Sequence, residues 1–405
     1  MTPQQPRQQR NTIAILAVTQ VLSWGSIYYA ISVLAPEIQR ELGWRSDLVY
    51  GAFSWSLLIA GLCATHIGAW LDRVGGRAVM GAGSLLAGAG LIVLSRTHTL
   101  FLYWLAWSML GLAMAMVLYE AAFAAINREF GYAARGIISK VTLLGGFAST
   151  VFWPLTLKLN GLIGWRDTYL LYGLVQLFLC APLHGLLGVR TRAPSDKTVH
   201  GERATPGYTL AQAVAHPVFW RLAAAFAANS LVGSALAVHL IPLLHKLGHP
   251  VAAIVVFAAL FGPMQVLGRI GEMLFASSVR PQSVGMLAFG ALPAALLALI
   301  LAGERQWAVA AFCLLYGLSN GILTIVRGTV PQALFGREHY GAISGALAGP
   351  SLVARAAGPL AVAALIQAQP SVTVVLGVLL AVSVGSLLCY LNAVRIEAPA
   401  PVPAL

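Results

Sequence analysis

Four ionisable residues lie inside long apolar runs of this sequence, where their side chains are able to do chemistry. Arg269 and Arg355 are the cations, and Glu120 and Glu272 are the carboxylic acids. An ionisable group at the centre of a bilayer costs about 3 kcal/mol unless it faces a polar cavity or a partner. Because a planar guanidinium matches the two oxygens of a carboxylate, the arginines predict a site for an organic anion. The two acids predict groups that take up and release protons.

A structural interpretation of the same four residues remains open. Glu272 lies three positions after Arg269, so the two side chains could pair on one helix face and neutralise each other. Arg355 could clamp backbone carbonyls, and Glu120 could pair with a nearby arginine. The two interpretations differ in whether each charged group has a permanent partner within the protein.

Uncharged polar side chains also interrupt the apolar runs. Tyr28, Tyr119, Asn229 and His239 are predicted to contact a substrate in a central cavity. The alternative is that they bridge helices, since hydrogen bonds and small side chains hold membrane bundles together. With the two arginines they complete the predicted substrate site.

Composition and hydropathy predict the elements that position these residues. Of 405 residues, 59% are hydrophobic and 9% are charged, whereas a soluble chain has about a quarter charged residues. A spanning helix needs around 20 apolar residues. The sequence predicts an all-α membrane protein with twelve transmembrane helices, at approximately 12–35, 47–70, 78–95, 100–126, 137–159, 168–189, 217–245, 251–275, 282–303, 306–330, 340–366 and 371–394.

The predicted spans form two sets of six around one long hydrophilic segment. We expect an N-terminal six-helix bundle at 1–189, a flexible cytoplasmic linker at 190–216 and a C-terminal six-helix bundle at 217–405. An internal repeat supports this division, because at an offset of 205 residues Phe130-Gly131 matches Phe335-Gly336. Each half has an even number of spans, so the halves are predicted to share one orientation and to be related by pseudo-twofold symmetry.

The net charge of +12 indicates membrane topology. With the N-terminus placed in the cytoplasm, sixteen of the 25 Lys and Arg residues, Arg327 among them, fall on the cytoplasmic side and seven on the other side. This is the positive-inside bias. It predicts a multi-pass protein of the bacterial inner membrane with both termini in the cytoplasm. The excess charge therefore requires no nucleic-acid partner.

The sequence lacks the patterns typical of enzymes and metalloproteins. It has four cysteines inside apolar runs, without the spacing of metal ligands. A phosphate-binding loop and a nucleophile triad are also missing, which disfavours ATP as an energy source and a membrane enzyme as the function. We expect no catalytic residue, no metal and no cofactor.

The loop after the second span carries the most specific motif. Residues 68–77 read Gly-Ala-Trp-Leu-Asp-Arg-Val-Gly-Gly-Arg. An acid at this membrane edge can cap a neighbouring helix or pair with an arginine. The motif resembles the cytoplasmic signature of the major facilitator superfamily, and this resemblance implies a cytoplasmic gate. A static loop staple is the alternative to a gate. The gate residues would be Gly68, Asp72, Arg73, Gly75 and Arg77.

Further stretches resemble the bacterial monocarboxylate and oxalate-formate branch of that superfamily. They include ELGWRSDLVYGAFSWSLLIAGL in the first half, the Gly164-Trp165-Arg166 turn, and FGREHYGAISGALAGPSLVARAAGP in the second half. The branch holds its anionic substrate with a basic residue of the eighth span, which is the position of Arg269. The resemblance implies a small mono- or dicarboxylate as substrate and protons as the coupled ion.

These predictions converge on a secondary transporter in the lipid bilayer, acting as a monomer on a small-molecule substrate by alternating access. Three alternatives remain. The first is an exporter of drugs or metabolites on the same fold, and the second is uptake of a larger siderophore or aromatic acid. The third, a membrane enzyme or sensor, lacks the necessary motifs.

Overall fold

The computed structural model describes residues 4–188, 207–276, 278–369 and 371–395. Every regular element within those ranges is a helix. Ten helical stretches of the described chain are long and apolar enough to cross a membrane. One of these, Ala134–Gly185, has 52 residues and contains a break at Gly164, where φ is +77°, a conformation that favours glycine. It therefore comprises two helices.

One more apolar helix, Val251–Phe275, brings the number of such helices in the described ranges to twelve, as predicted. We number the twelve in chain order. In the first half, α1 is Arg7–Leu42, α2 is Ser46–Val74, α3 is Gly76–Ser95, α4 is Leu100–Phe130, α5 is 134–163 and α6 is 165–185. In the second half, α7 is Pro217–Lys246, α8 is Val251–Phe275, α9 is Pro281–Ala302, α10 is Gln306–Phe335, α11 is Tyr340–Ala368 and α12 is Val372–Arg395.

Contacts divide the chain into two compact units. The first unit is Met1–Gly207 with Arg337–Gly349, and the second is Tyr208–Gly336 with Pro350–Leu405. The start of α11 thus belongs to the first unit and its remainder to the second. Most of the predicted linker, residues 190–206, lies outside the described residues. Its described end holds a short helix, Leu210–Ala215, which the Thr209 side chain caps.

Several helices of the first unit depart from regular α-helical geometry. Helix α1 contains a π-helical segment at Trp24–Tyr29, and α6 contains another at Gln176–Cys180. The Gln176 side-chain amide donates to Ser26 Oγ at 3.0 Å, so the two segments contact each other. Helix α4 is broken at Leu118, whose φ and ψ are −80° and −169°. Such interruptions are frequent at functional sites.

Glycines allow α2 to pack tightly against the start of α11 within the first unit. A Cβ at Gly68 would overlap the backbone carbonyl of Gly341, and one turn further along α11 a Cβ at Gly345 would overlap the carbonyl of Ala64. In membranes, small residues spaced four apart let two helix backbones approach closely. This packing fixes the position of the 68–77 motif along the axis of α11.

Candidate functional site

Aromatic side chains of the first unit surround Trp24 in the π-helical segment of α1. The Trp24 ring lies 5.0 Å from the Tyr28 ring and 5.1 Å from the Tyr119 ring, measured between centroids. Tyr28 also contacts Phe53 of α2 at 5.3 Å. The structure therefore brings together two of the predicted substrate contacts, Tyr28 and Tyr119. The residue between them, Trp24, was not predicted.

The break in α4 creates a polar site beside this cluster. It removes the Val117 carbonyl from regular helical bonding, and Gln20 Nε2 of α1 donates to that oxygen at 2.7 Å. Gln20 is fully buried. Among the described residues, neither Gln20 Oε1 nor Trp24 Nε1 has a hydrogen-bond partner. One acceptor of α1, Gln20 Oε1, and one donor, Trp24 Nε1, are thus left without a partner in the described chain.

Glu120 follows the break in α4 and is half-buried. Within the described part of the chain its carboxylate makes neither a hydrogen bond nor an ion pair. The expected arginine partner is therefore not observed there. Its role in proton coupling stays a prediction.

Arg269 is buried in α8 of the second unit, with 4% of its surface exposed. Its Nε and Nη1 atoms have no hydrogen-bond partner among the residues that the structure describes. Glu272, one turn along α8, is also buried. Burying two guanidinium nitrogens without a hydrogen-bond partner is costly, and a ligand that accepts from them would offset that cost.

The other predicted substrate contacts of the second unit differ in their surroundings. Asn229 is 6% exposed, and its side chain makes no hydrogen bond within the described ranges. His239 lies against the Pro359 carbonyl of α11 at 2.9 Å, so its Nε2 must donate and the residue bridges two helices. Arg355 is half-buried in α11.

Arg327 is a membrane-embedded cation that sequence analysis did not single out. It lies about two turns before the end of α10, although the topology count assigned it to the cytoplasmic surface. Its Nη2 donates to Ser230 Oγ of α7 at 2.8 Å, and its guanidinium lies 5.8 Å above the Phe226 ring. Its position before the end of an apolar run was the available signal.

The 68–77 motif forms a helix cap within the first unit. Both carboxylate oxygens of Asp72 accept backbone N–H groups from the first turn of α11, Oδ1 from Gly341 at 2.9 Å and Oδ2 from Ala342 at 2.8 Å. These amides lack partners inside the helix, and their partial positive charge favours an anion. The geometry is the helix capping that the acid at this position suggested, whereas the gate role remains a prediction.

Arg128 supports the same motif and was missed as a site residue. Its Nη2 donates to the Arg73 carbonyl at 3.1 Å, and its Nη1 to the Leu71 carbonyl at 3.4 Å, which caps the end of α2. Gly75 adopts a φ of +90°, a conformation that favours glycine because it has no Cβ. The side chains of Arg73 and Arg77 are exposed.

Replacing Asp72 by asparagine is expected to lower stability by about 1–2 kcal/mol, because asparagine keeps one acceptor oxygen but turns an NH₂ group toward the second amide. The measurement is the melting temperature of the purified protein in detergent. The matched control is Asp47→Asn, since Asp47 is 61% exposed and pairs with exposed Arg45 on the surface. Equal shifts in both variants would contradict the capping role.

In the described part of the chain, no three His, Cys, Asp or Glu side chains come together as metal ligands would. Cys63, Cys180, Cys313 and Cys389 are free thiols.

Comparisons with known proteins agree with this architecture. A model of the Major Facilitator Superfamily matches residues 16–359. The rat monocarboxylate transporter 3 is 26% identical over 360 residues, which are 84% of this chain and 70% of that protein.

Two solved structures share the fold. The human organic anion transporter MFSD10 (TETRAN) has a TM-score of 0.72 and 14% identity, covering 94% of this chain and 99% of that chain. The E. coli fucose:proton symporter FucP has a TM-score of 0.71 and 12% identity, covering 94% of this chain and 98% of that chain.

Proposed function

The chain belongs to the Major Facilitator Superfamily, whose family and fold are those of membrane transporters, and from this premise we propose that it moves a small organic anion across the bacterial inner membrane. The cargo is a mono- or dicarboxylate, and transport proceeds by alternating access coupled to protons. The protein works as a monomer, with both termini in the cytoplasm and without a cofactor.

The observation that carries this proposal is the state of Arg269. Two of its guanidinium nitrogens are buried in an apolar helix without a partner among the described residues. A planar guanidinium with two unused N–H donors matches the two oxygens of a carboxylate. An anionic cargo supplies the partner that these two nitrogens lack in the described chain.

The rat relative supports the same class of cargo, since it is a monocarboxylate transporter that is similar along most of this chain. Support for proton coupling comes from Glu120, because its carboxylate is half-buried in a span and makes no ion pair within the described chain. A membrane-embedded acid of this kind is the usual proton carrier of secondary transporters.

Uptake of a larger aromatic acid is the second candidate. The ring cluster of Trp24, Tyr28 and Tyr119 favours it, because aromatic faces bind other aromatic rings well. In this alternative Arg269 keeps its role as the anion contact.

The test is a ligand panel on the purified wild-type protein. A ligand that binds only the folded state raises the melting temperature. At a ligand concentration of 100 times Kd, the free energy of unfolding increases by about 2.7 kcal/mol. We expect small carboxylates to raise it, and proteoliposomes to accumulate the best of them when the outside is acidic. Stabilisation by cations or bulky neutral compounds alone would support the exporter and overturn the anion proposal.

A further inference from the structure

Two buried polar atoms of α1 are left without partners near the middle of the helix. Gln20 Oε1 and Trp24 Nε1 make no hydrogen bond to any described residue. An unmade hydrogen bond at a buried group costs roughly 1–3 kcal/mol. In a transporter, such a cost is offset when cargo occupies the site.

The orientation of both atoms is determined by their neighbours. The Val117 carbonyl can only accept, so Gln20 must turn its NH₂ group toward it, at 2.7 Å. Gln20 Oε1 is therefore the atom left over, and it is an acceptor. The indole N–H of Trp24 can only donate. Residues four apart lie on the same face of a helix, so the side chains that carry this acceptor and this donor are neighbours on α1.

Tyr119 completes the site from α4. Its ring lies 5.1 Å from the Trp24 ring. A Cβ added at Gly145 would lie 2.5 Å from the Tyr119 hydroxyl and 3.3 Å from Gln20 Cβ. The phenol therefore lies beside the side chains of both Trp24 and Gln20. Because Gln20 is near the middle of α1, the site is close to the depth at which secondary transporters hold their cargo.

The chemistry of this pair selects one functional group. A carboxylate accepts hydrogen bonds only and an ammonium donates only, whereas a hydroxyl group does both. We propose that Gln20 and Trp24, with Tyr119 beside them, form a subsite for a hydroxyl group of the cargo, so that the transported anion is a hydroxycarboxylate. This inference rests on the proposed function, since it refines the class of anion.

The test compares acids that differ only by a hydroxyl group. Lactate against propionate and malate against succinate are titrated into the purified full-length protein, and apparent Kd values are derived from the melting temperature. We expect the hydroxylated acid of at least one pair to bind ten-fold or more tightly, because a site built for a hydroxyl rejects the analogue that lacks it. Trp24→Phe keeps the ring, removes the N–H, and should bring that ratio close to one.

Trp107→Phe is the matched control. The Trp107 N–H of α4 is likewise buried and has no hydrogen-bond partner in the described residues, but its ring neighbours are Phe53 and Tyr103, and it is not part of the Gln20–Trp24 pair. This variant should keep the wild-type ratio. If Trp24→Phe fails to fold, Gln20→Met removes the acceptor instead and should have the same effect.

Three results would overturn the inference. The first is equal affinity of wild-type protein for both members of each pair, as expected if the two atoms bind only water. The second is an unchanged ratio in Trp24→Phe and Gln20→Met. The third is that no carboxylate binds at all. This third result would also contradict the proposed transport of organic anions, whereas the first two results would contradict only the hydroxyl subsite.

Discussion

Replacing Arg269 by glutamine is expected to reduce carboxylate transport about 100-fold. The guanidinium is buried and has unused donors, so it can bind a carboxylate through two charge-assisted hydrogen bonds. Losing one partner of such a buried pair costs about 3 kcal/mol, and each 1.4 kcal/mol is a factor of ten. The measurement is initial uptake into proteoliposomes at several substrate concentrations.

The same variant separates a binding role from a structural role. If Arg269 binds the substrate anion and has no permanent partner, removing its charge should leave the melting temperature of the ligand-free protein unchanged or raise it. If Arg269 holds helices together, that temperature should fall. Arg305→Gln is the matched control, because Arg305 is exposed just before α10. This variant should transport carboxylates at the wild-type rate. Normal uptake by Arg269→Gln would contradict the role assigned to this residue.

Replacing Gly68 by alanine is expected to destabilise the protein by about 2 kcal/mol or more. The added methyl group would overlap backbone atoms of Gly341, and backbone cannot move aside as a flexible side chain can. The two helices would have to separate, which would also lengthen the bonds from Asp72 to the start of α11. The readouts are the melting temperature and the yield of monodisperse protein.

Gly81→Ala in α3 is the control for the intrinsic preference of helices for alanine. No atom lies within 4 Å of a Cβ built there. Glycine inside a helix costs about 0.5–1 kcal/mol relative to alanine, so this variant should be neutral or slightly more stable. We therefore expect Gly68→Ala to lower the stability and Gly81→Ala to leave it unchanged or raise it slightly. A neutral Gly68→Ala would show that the close approach of α2 and α11 is not required.

The twelve helices could be predicted because hydrophobicity is a local property of the sequence. Each spanning helix needs its own apolar run, and the runs could be counted without knowledge of helix packing. The helix break at Leu118 was not predicted, since neither proline nor glycine marks it. The contact that accompanies the break is a tertiary one, since Gln20 supplies a donor from α1 to a carbonyl beside it.

The candidate site could be predicted only in part, because the rotation of each helix about its own axis follows from tertiary packing. Tyr28 and Tyr119 were chosen as amphipathic groups in apolar runs, and their common contact with Trp24 required the fold. Arg327 was assigned to the surface because it lies near the end of a run. Its bond to Ser230 shows that its guanidinium reaches back into the helical bundle instead.

The cap between Asp72 and α11 has a consequence for the order in which the protein is made. The acid and the amides that it binds are 269 and 270 residues apart. At about 5–20 residues per second, the ribosome needs roughly 13 to 54 seconds to synthesise the chain between them. During that time Asp72 is inserted without its partner. The first unit is thus completed by Arg337–Gly349, a segment that is synthesised well after the linker, and a nascent or truncated chain that ends at the linker lacks these residues.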